Sequence, residues 1–221
     1  MRKLDLIGTG PGASDLLTIR ALRRIESADT VFVPVNKGKN LALDTVKDFV
    51  IGKNIIELDF PMARVTEDHY KNAAKIIDES LTSKGVYLTI GDAMTYATSI
   101  YLVDEIEKLN TDIEIENVPG ITSYLAAFNR TNLPLTVKGD KFLLVDDIEN
   151  VSRETLEEID SIAVLKTFKN PEKIKARLEE FAFKVNYIQR LSMEEEKIFG
   201  VDEEIAGEKD YISLIIGRKD R

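Results

Sequence analysis

Apolar positions along this 221-residue chain recur in two alternating periods. Short β-branched runs at 4–7, 30–35, 54–58, 85–90 and 113–118 read as strands. Between them, 15–28, 41–50, 67–83 and 98–109 carry apolar residues at helical spacing. In the first of these Leu16, Leu17, Ile19, Ala21, Leu22 and Ile25 oppose Arg20, Arg23 and Arg24, and in the third Ala73, Ala74, Ile76, Ile77 and Leu81 turn inward. Strands alternating with helices predict a mostly parallel sheet flanked by helices.

After Pro119 the order changes. Helices are expected at 123–129, 152–159 and 171–181, and strands at 141–145, 161–165, 185–190, 197–200 and 211–217. A helix too short to serve as a crossover is expected between the last two strands, so the end of the chain should be antiparallel. The expectation is an α/β protein of two α/β domains, 1–117 and 118–221, the first with a mostly parallel sheet and the second with a mixed one.

Composition narrows the chemistry. Apolar content of 43% and charged content of 31% suit a globular chain, and a net charge of −9 argues against a general nucleic-acid binder. Cysteine is absent and His69 is the only histidine, so thiolate and histidine-rich metal sites are excluded and a serine–histidine triad is disfavoured; no metal is expected. His69 itself is expected on the surface at a helix start. The opening apolar stretch is too short for a signal peptide, and no run approaches the roughly 18 apolar residues of a membrane span. A cytoplasmic protein with no membrane partner is expected.

Three small-residue loops each follow a strand-like run and lead into a helix-like one. Ile7-Gly8-Thr9-Gly10-Pro11-Gly12 lets backbone approach a ligand closely, or makes a tight turn with no ligand. Its glycine spacing departs from the dinucleotide fingerprint, Pro11 removes an N–H, and Val31-Phe32-Val33-Pro34 ends in proline where an acidic residue would hold a ribose; a nicotinamide enzyme is disfavoured. In Gly91-Asp92-Ala93-Met94-Thr95-Tyr96, Asp92 either accepts hydrogen bonds from ribose hydroxyls or an amine, or caps the next helix. Met94, Thr95, Tyr96, Thr98 and Ser99 line a pocket, or serve as cap and core. In Pro119-Gly120-Ile121-Thr122-Ser123, Thr122 and Ser123 open a helix whose N–H groups either hold a ligand or are simply capped. Strand ends meeting helix starts at one sheet edge form the usual ligand crevice of open α/β folds.

Together these loops resemble the tetrapyrrole methylases, the class III S-adenosylmethionine-dependent methyltransferases of corrin and sirohaem biosynthesis. The resemblance spans essentially the whole chain. It includes Asp15-Leu16-Leu17-Thr18, Ala28-Asp29-Thr30-Val31, Val118-Pro119-Gly120, Leu133-Pro134-Leu135, Tyr187-Ile188-Gln189-Arg190 and Met193-Glu194-Glu195-Glu196-Lys197-Ile198. Glu57-Leu58-Asp59-Phe60-Pro61-Met62, Gly91-Asp92-Ala93-Met94-Thr95-Tyr96-Ala97-Thr98 and Asn36-Lys37-Gly38-Lys39 make it most similar to members that methylate C20 of precorrin-2 or cobalt-factor II in cobalamin biosynthesis. Ala93 stands where the family usually has proline after Gly-Asp.

The resemblance implies a homodimer of two α/β domains, with S-adenosylmethionine in the cleft between them and S-adenosylhomocysteine as product. It implies donor contacts at Pro11, Gly91, Asp92, Met94, Thr95, Tyr96, Thr122 and Ser123, with Leu165, Lys166, Arg190 and Leu191 from the second domain. Lys37 and Lys39 either meet a tetrapyrrole's carboxylates, with Arg64 and Lys138 behind them, or form a solvated lysine loop; in an acidic protein, local cations must outweigh the global field at the cleft mouth. No proton acceptor is assigned, Tyr96 and Asp92 being candidates by position alone. The alternatives are another class III methylase, acting on a different corrin carbon or as a diphthine synthase, and a non-catalytic relative that binds the donor or the tetrapyrrole.

Overall fold

The computed structural model describes residues 1–36, 40–61 and 64–220. Two compact units divide the chain, Met1–Thr122 and Ser123–Arg221.

In the first unit the elements are β1 (Arg2–Gly8), α1 (Ile19–Ser27), β2 (Thr30–Val35), α2 (Leu41–Val46), β3 (Asn54–Asp59), α3 (Glu67–Ser80), β4 (Lys84–Thr89), α4 (Thr98–Lys108) and β5 (Ile113–Val118). The strands form one sheet in the order β3-β2-β4-β1-β5, every pair parallel. Side-chain alternation along the strands separates two cores. Leu4, Leu6, Phe32 and Tyr87 meet α3 and α4 through Ala74, Ile77, Leu102 and Ile106. Ile7, Val31, Val33 and Leu88 meet α1 and α2 through Ala21, Ile25, Ala42 and Val46. Both faces are thus covered, as an all-parallel sheet requires.

Two local details matter for the site. Pairing of β2 with β4 stops at Phe32 and Tyr87, although β2 runs on beside β3 to Val35. Pro34, with no N–H to give, falls where that pairing has ceased. The helices after β2 and β4 lie on opposite faces, so these neighbours form a topological switch at their carboxyl ends. The single helix expected over 15–28 is divided: a 3-10 turn at Ser14–Leu16 precedes α1, because the Thr18 hydroxyl accepts a hydrogen bond from the Ala21 N–H at 3.1 Å and caps the helix there. Thr18→Ala should cost about 1 kcal/mol in urea unfolding.

Lys3, Asp5, Arg24 and Glu116 join β1, α1 and β5 in an ion-pair cluster. Burial pushes the Asp5 carboxyl above its usual range, against the pull of Arg24 and Lys3. The unfolded chain therefore gives up this proton first, and the Asp5 contribution to stability falls as pH rises from about 4 through the folded-state value. The wild-type-minus-Asp5→Asn difference in urea midpoint should decline over that window and then level off.

In the second unit α5 (Ser123–Arg130), β6 (Phe142–Val145), α6 (Arg153–Glu158), β7 (Ser161–Leu165), α7 (Pro171–Glu179), β8 (Phe183–Gln189), β9 (Lys197–Phe199) and β10 (Ser213–Lys219) follow in turn. The sheet order is β6-β7-β10-β8-β9, with β6 and β7 parallel and the other pairs antiparallel. Ala127 and Phe128 of α5 cover one face, and Leu156 and Leu178 of α6 and α7 the other. The helix expected between the last two strands is not formed. Residues 200–212 instead make turns, closed by the Glu203 carboxylate accepting from the Gly200 N–H and by Lys175 donating to the carbonyls of Gly200 and Glu203.

Candidate functional site

At the carboxyl ends of β4, β1 and β5 the three loops meet backbone to backbone. The Gly10 N–H donates to the Gly91 carbonyl at 3.0 Å and the Gly91 N–H returns a bond to Gly10 at 2.7 Å. Gly8 and Gly120 lie so close that a Cβ on Gly8 would stand 2.6 Å from the Gly120 nitrogen. Glycine is required at both because any side chain would overlap main chain, not a movable group.

Asp92 joins two of the loops. One carboxylate oxygen accepts from the Met94 N–H at 2.9 Å and the Thr95 hydroxyl at 3.0 Å; the other accepts from the Gly120 N–H at 3.1 Å. The helix-cap alternative is corrected: α4 begins after Ala97, and Asp92 closes the 92–95 turn and holds the 119–122 loop. Met94 and Tyr96 stand out from this edge, 50% and 44% exposed. Pro11 is buried, and Gly91, Thr95 and Thr122 are half-buried. Nothing lies within 4 Å of where a Gly91 side chain would be, so there is open space beside the Gly91 Cα, whose N–H and carbonyl are both paired with Gly10.

Thr98 and Ser99 belong to the core rather than a pocket wall. The Thr98 hydroxyl meets the buried Tyr87 hydroxyl at 2.8 Å, and the fully buried Ser99 hydroxyl donates to the Ala93 carbonyl. His69 caps α3: its Nδ1 accepts from the Thr66 N–H at 3.2 Å. Lys37 and Lys39 lie outside the described residues.

In the second unit β7 and β8 run in the same direction on either side of β10, which brings Leu165 and Lys166 to the same sheet end as Arg190 and Leu191. The Arg190 N–H donates to the Ile212 carbonyl at 2.9 Å, and its guanidinium meets the Asp210 carboxylate at 3.3 Å. Leu191 is buried, and Ser123 opens α5. Asp210 and the Phe168–Tyr211 ring pair at 4.9 Å lie beside this end; Tyr211 was expected to open the last strand, but β10 begins at Ser213 and leaves it in the preceding loop.

Left-handed backbone occurs at these strand ends as well as at Asn110, Asn132, Ala182 and Ser192. Tyr96, Lys166 and Arg190 have φ of 49°, 57° and 50°. For residues with a Cβ this left-handed region costs about 1–2 kcal/mol each and persists where surroundings over-determine it, often at binding sites. Among the described residues no group of three or more acidic, histidine or cysteine side chains could hold a metal ion, and no helix is long and apolar enough to cross a membrane.

The profile of the family described as Tetrapyrrole (Corrin/Porphyrin) Methylases matches residues 3–206. The chain belongs to this family. A protein of Methanocaldococcus jannaschii named "Probable cobalt-precorrin-2 C(20)-methyltransferase" is 33% identical over 98% of this chain and 96% of its own length. The cobalt-precorrin-2 C(20)-methyltransferase of Salmonella typhimurium is 31% identical over 80% of this chain and 77% of its own. Among solved structures, a uroporphyrin-III C-methyl transferase of Thermus thermophilus complexed with S-adenosylhomocysteine shares the fold, with a TM-score of 0.70 at 19% identity, covering 98% of this chain and 97% of that one. The tetrapyrrole methylase fold thus accounts for both α/β units and for the parallel-then-mixed order of their sheets.

Proposed function

We propose that the chain transfers a methyl group from S-adenosylmethionine to C20 of a cobalt-bearing precorrin-2 in cobalamin biosynthesis. The observation that carries this reading is the 33% identity, over nearly the full length of both chains, to a relative named for that reaction. The unit 1 strand edge suits a nucleoside donor: open space beside the Gly91 Cα, hydroxyls at Thr95 and Thr122, and the half-exposed Met94 and Tyr96 offer polar and apolar contacts together. Pro11 of the first unit, and Ser123, Leu165, Lys166, Arg190 and Leu191 of the second, are the remaining proposed contacts.

When bound, the sulfonium supplies an electrophilic methyl group. The chain's own residues then have to orient rather than activate, since C20 is a nucleophilic, enamine-like carbon and alignment alone can supply about 7–11 kcal/mol. No proton acceptor is assigned: Asp92 accepts two hydrogen bonds on one oxygen and one on the other, which keeps a lone pair, and solvent or a substrate carboxylate serves as well. Lys37 and Lys39 are proposed to meet the macrocycle's carboxylates. The reading carries with it a homodimer in the cytoplasm, as the family resemblance implies.

The test is incubation with methyl-labelled donor and either cobalt-bearing or metal-free precorrin-2, with the label located by NMR. Label at C20 of the cobalt form is expected. Label at another carbon, or turnover of the metal-free form alone, would refute the assignment.

A further inference from the structure

We infer that Asp92 is a positioning residue, a clamp that sets the loops after β4 and β5 in one geometry before any ligand arrives, and not a ligand of the donor's ribose. The inference rests on the reading that the donor binds at this strand edge.

The carboxylate commits three of its about four acceptor positions inside the protein. Its first oxygen holds Met94 N–H and the Thr95 hydroxyl, which fixes the turn leading to Tyr96; its second reaches the Gly120 N–H, 28 residues away in sequence. That second bond spans strands that are not neighbours, because β1 lies between β4 and β5. Gly8, at the end of β1, is too close to Gly120 for any side chain, so the three strand ends are locked at one depth. The loop-to-loop bonds are in place without any ligand, so they hold the two loops whether or not a ribose hydroxyl takes the one remaining acceptor position.

A cycle that pairs side-chain change with ligand change separates the two roles. Asp92→Asn keeps an oxygen for the 92–95 turn but turns an NH2 group toward the Gly120 N–H; Thr95→Val leaves the Gly120 bond intact and serves as the milder variant. S-adenosylhomocysteine and its 2′,3′-dideoxyribose analogue are titrated against wild type and both variants. A clamp predicts that Asp92→Asn weakens both ligands by the same factor, roughly ten- to a hundredfold. It also predicts that exchange of the Gly120 amide in the ligand-free protein speeds by at least tenfold in Asp92→Asn and stays near wild type in Thr95→Val. With methyl donor, the KM should rise more than kcat falls.

A loss confined to the hydroxyl-bearing nucleoside, with Gly120 protection unchanged, would overturn the inference. Failure of wild type to bind either nucleoside would instead refute the donor reading itself, and the Gly120 exchange would still decide whether Asp92 couples the loops.

Discussion

Gly120→Ala is expected to lower stability by about 3 kcal/mol or more and to abolish measurable S-adenosylhomocysteine binding. A methyl group there would stand 2.1 Å from the Gly91 carbonyl oxygen and 2.7 Å from the Gly8 carbonyl group. Both neighbours are main chain at strand ends, and Gly91 is further held by paired bonds to Gly10. Relief therefore requires β5 to withdraw from β1, which breaks the Asp92–Gly120 bond. Urea unfolding and calorimetric titration measure the two losses. Gly200→Ala is the control: its nearest contact would be 3.9 Å away, in the flexible Glu203 side chain, and its effect should be within about 0.5 kcal/mol.

The second large effect is expected in the other unit. Arg218 of β10 and Asp140 pair at 2.6 Å with side chains only 7% and 6% exposed. Asp140 also accepts from the Val137 N–H at 2.8 Å, while Arg218 and the Ser161 hydroxyl both donate to the Leu135 carbonyl. This cluster gives Leu133-Pro134-Leu135 a physical role, since it ties the stretch after α5 to β7 and β10. Arg218→Ala removes a buried guanidinium that bonds both Asp140 and the Leu135 carbonyl and should cost about 3–5 kcal/mol, read from urea unfolding. The double variant Arg218→Met, Asp140→Leu should recover much of that loss, because no charge is then left unpaired.

Nearly every strand and helix was legible from periodicity, since each buries one face or one stripe in a core. The misreadings have local causes. The division at Thr18 depends on a hydroxyl folding back on its own helix, which periodicity does not register. The helix expected between β9 and β10 was drawn from spacing in a stretch where Glu203 and Lys175 bond to backbone instead. In the site, residue types pointed to the right loops but not to their partners. Asp92 could be seen to lie at a strand end, yet its bond to Gly120 depends on β5 lying beyond β1 in the sheet order, which is a long-range fact. The left-handed backbones of Tyr96, Lys166 and Arg190 were likewise invisible, because nothing in a tyrosine, lysine or arginine announces a positive φ.

A nucleoside donor is expected to lodge against the carboxyl edge of the first unit's parallel sheet. Co-crystallisation with S-adenosylhomocysteine tests it most directly. The account places density for the nucleoside against the backbone of 91–96 and 119–122; density elsewhere, with these loops unchanged, would contradict it.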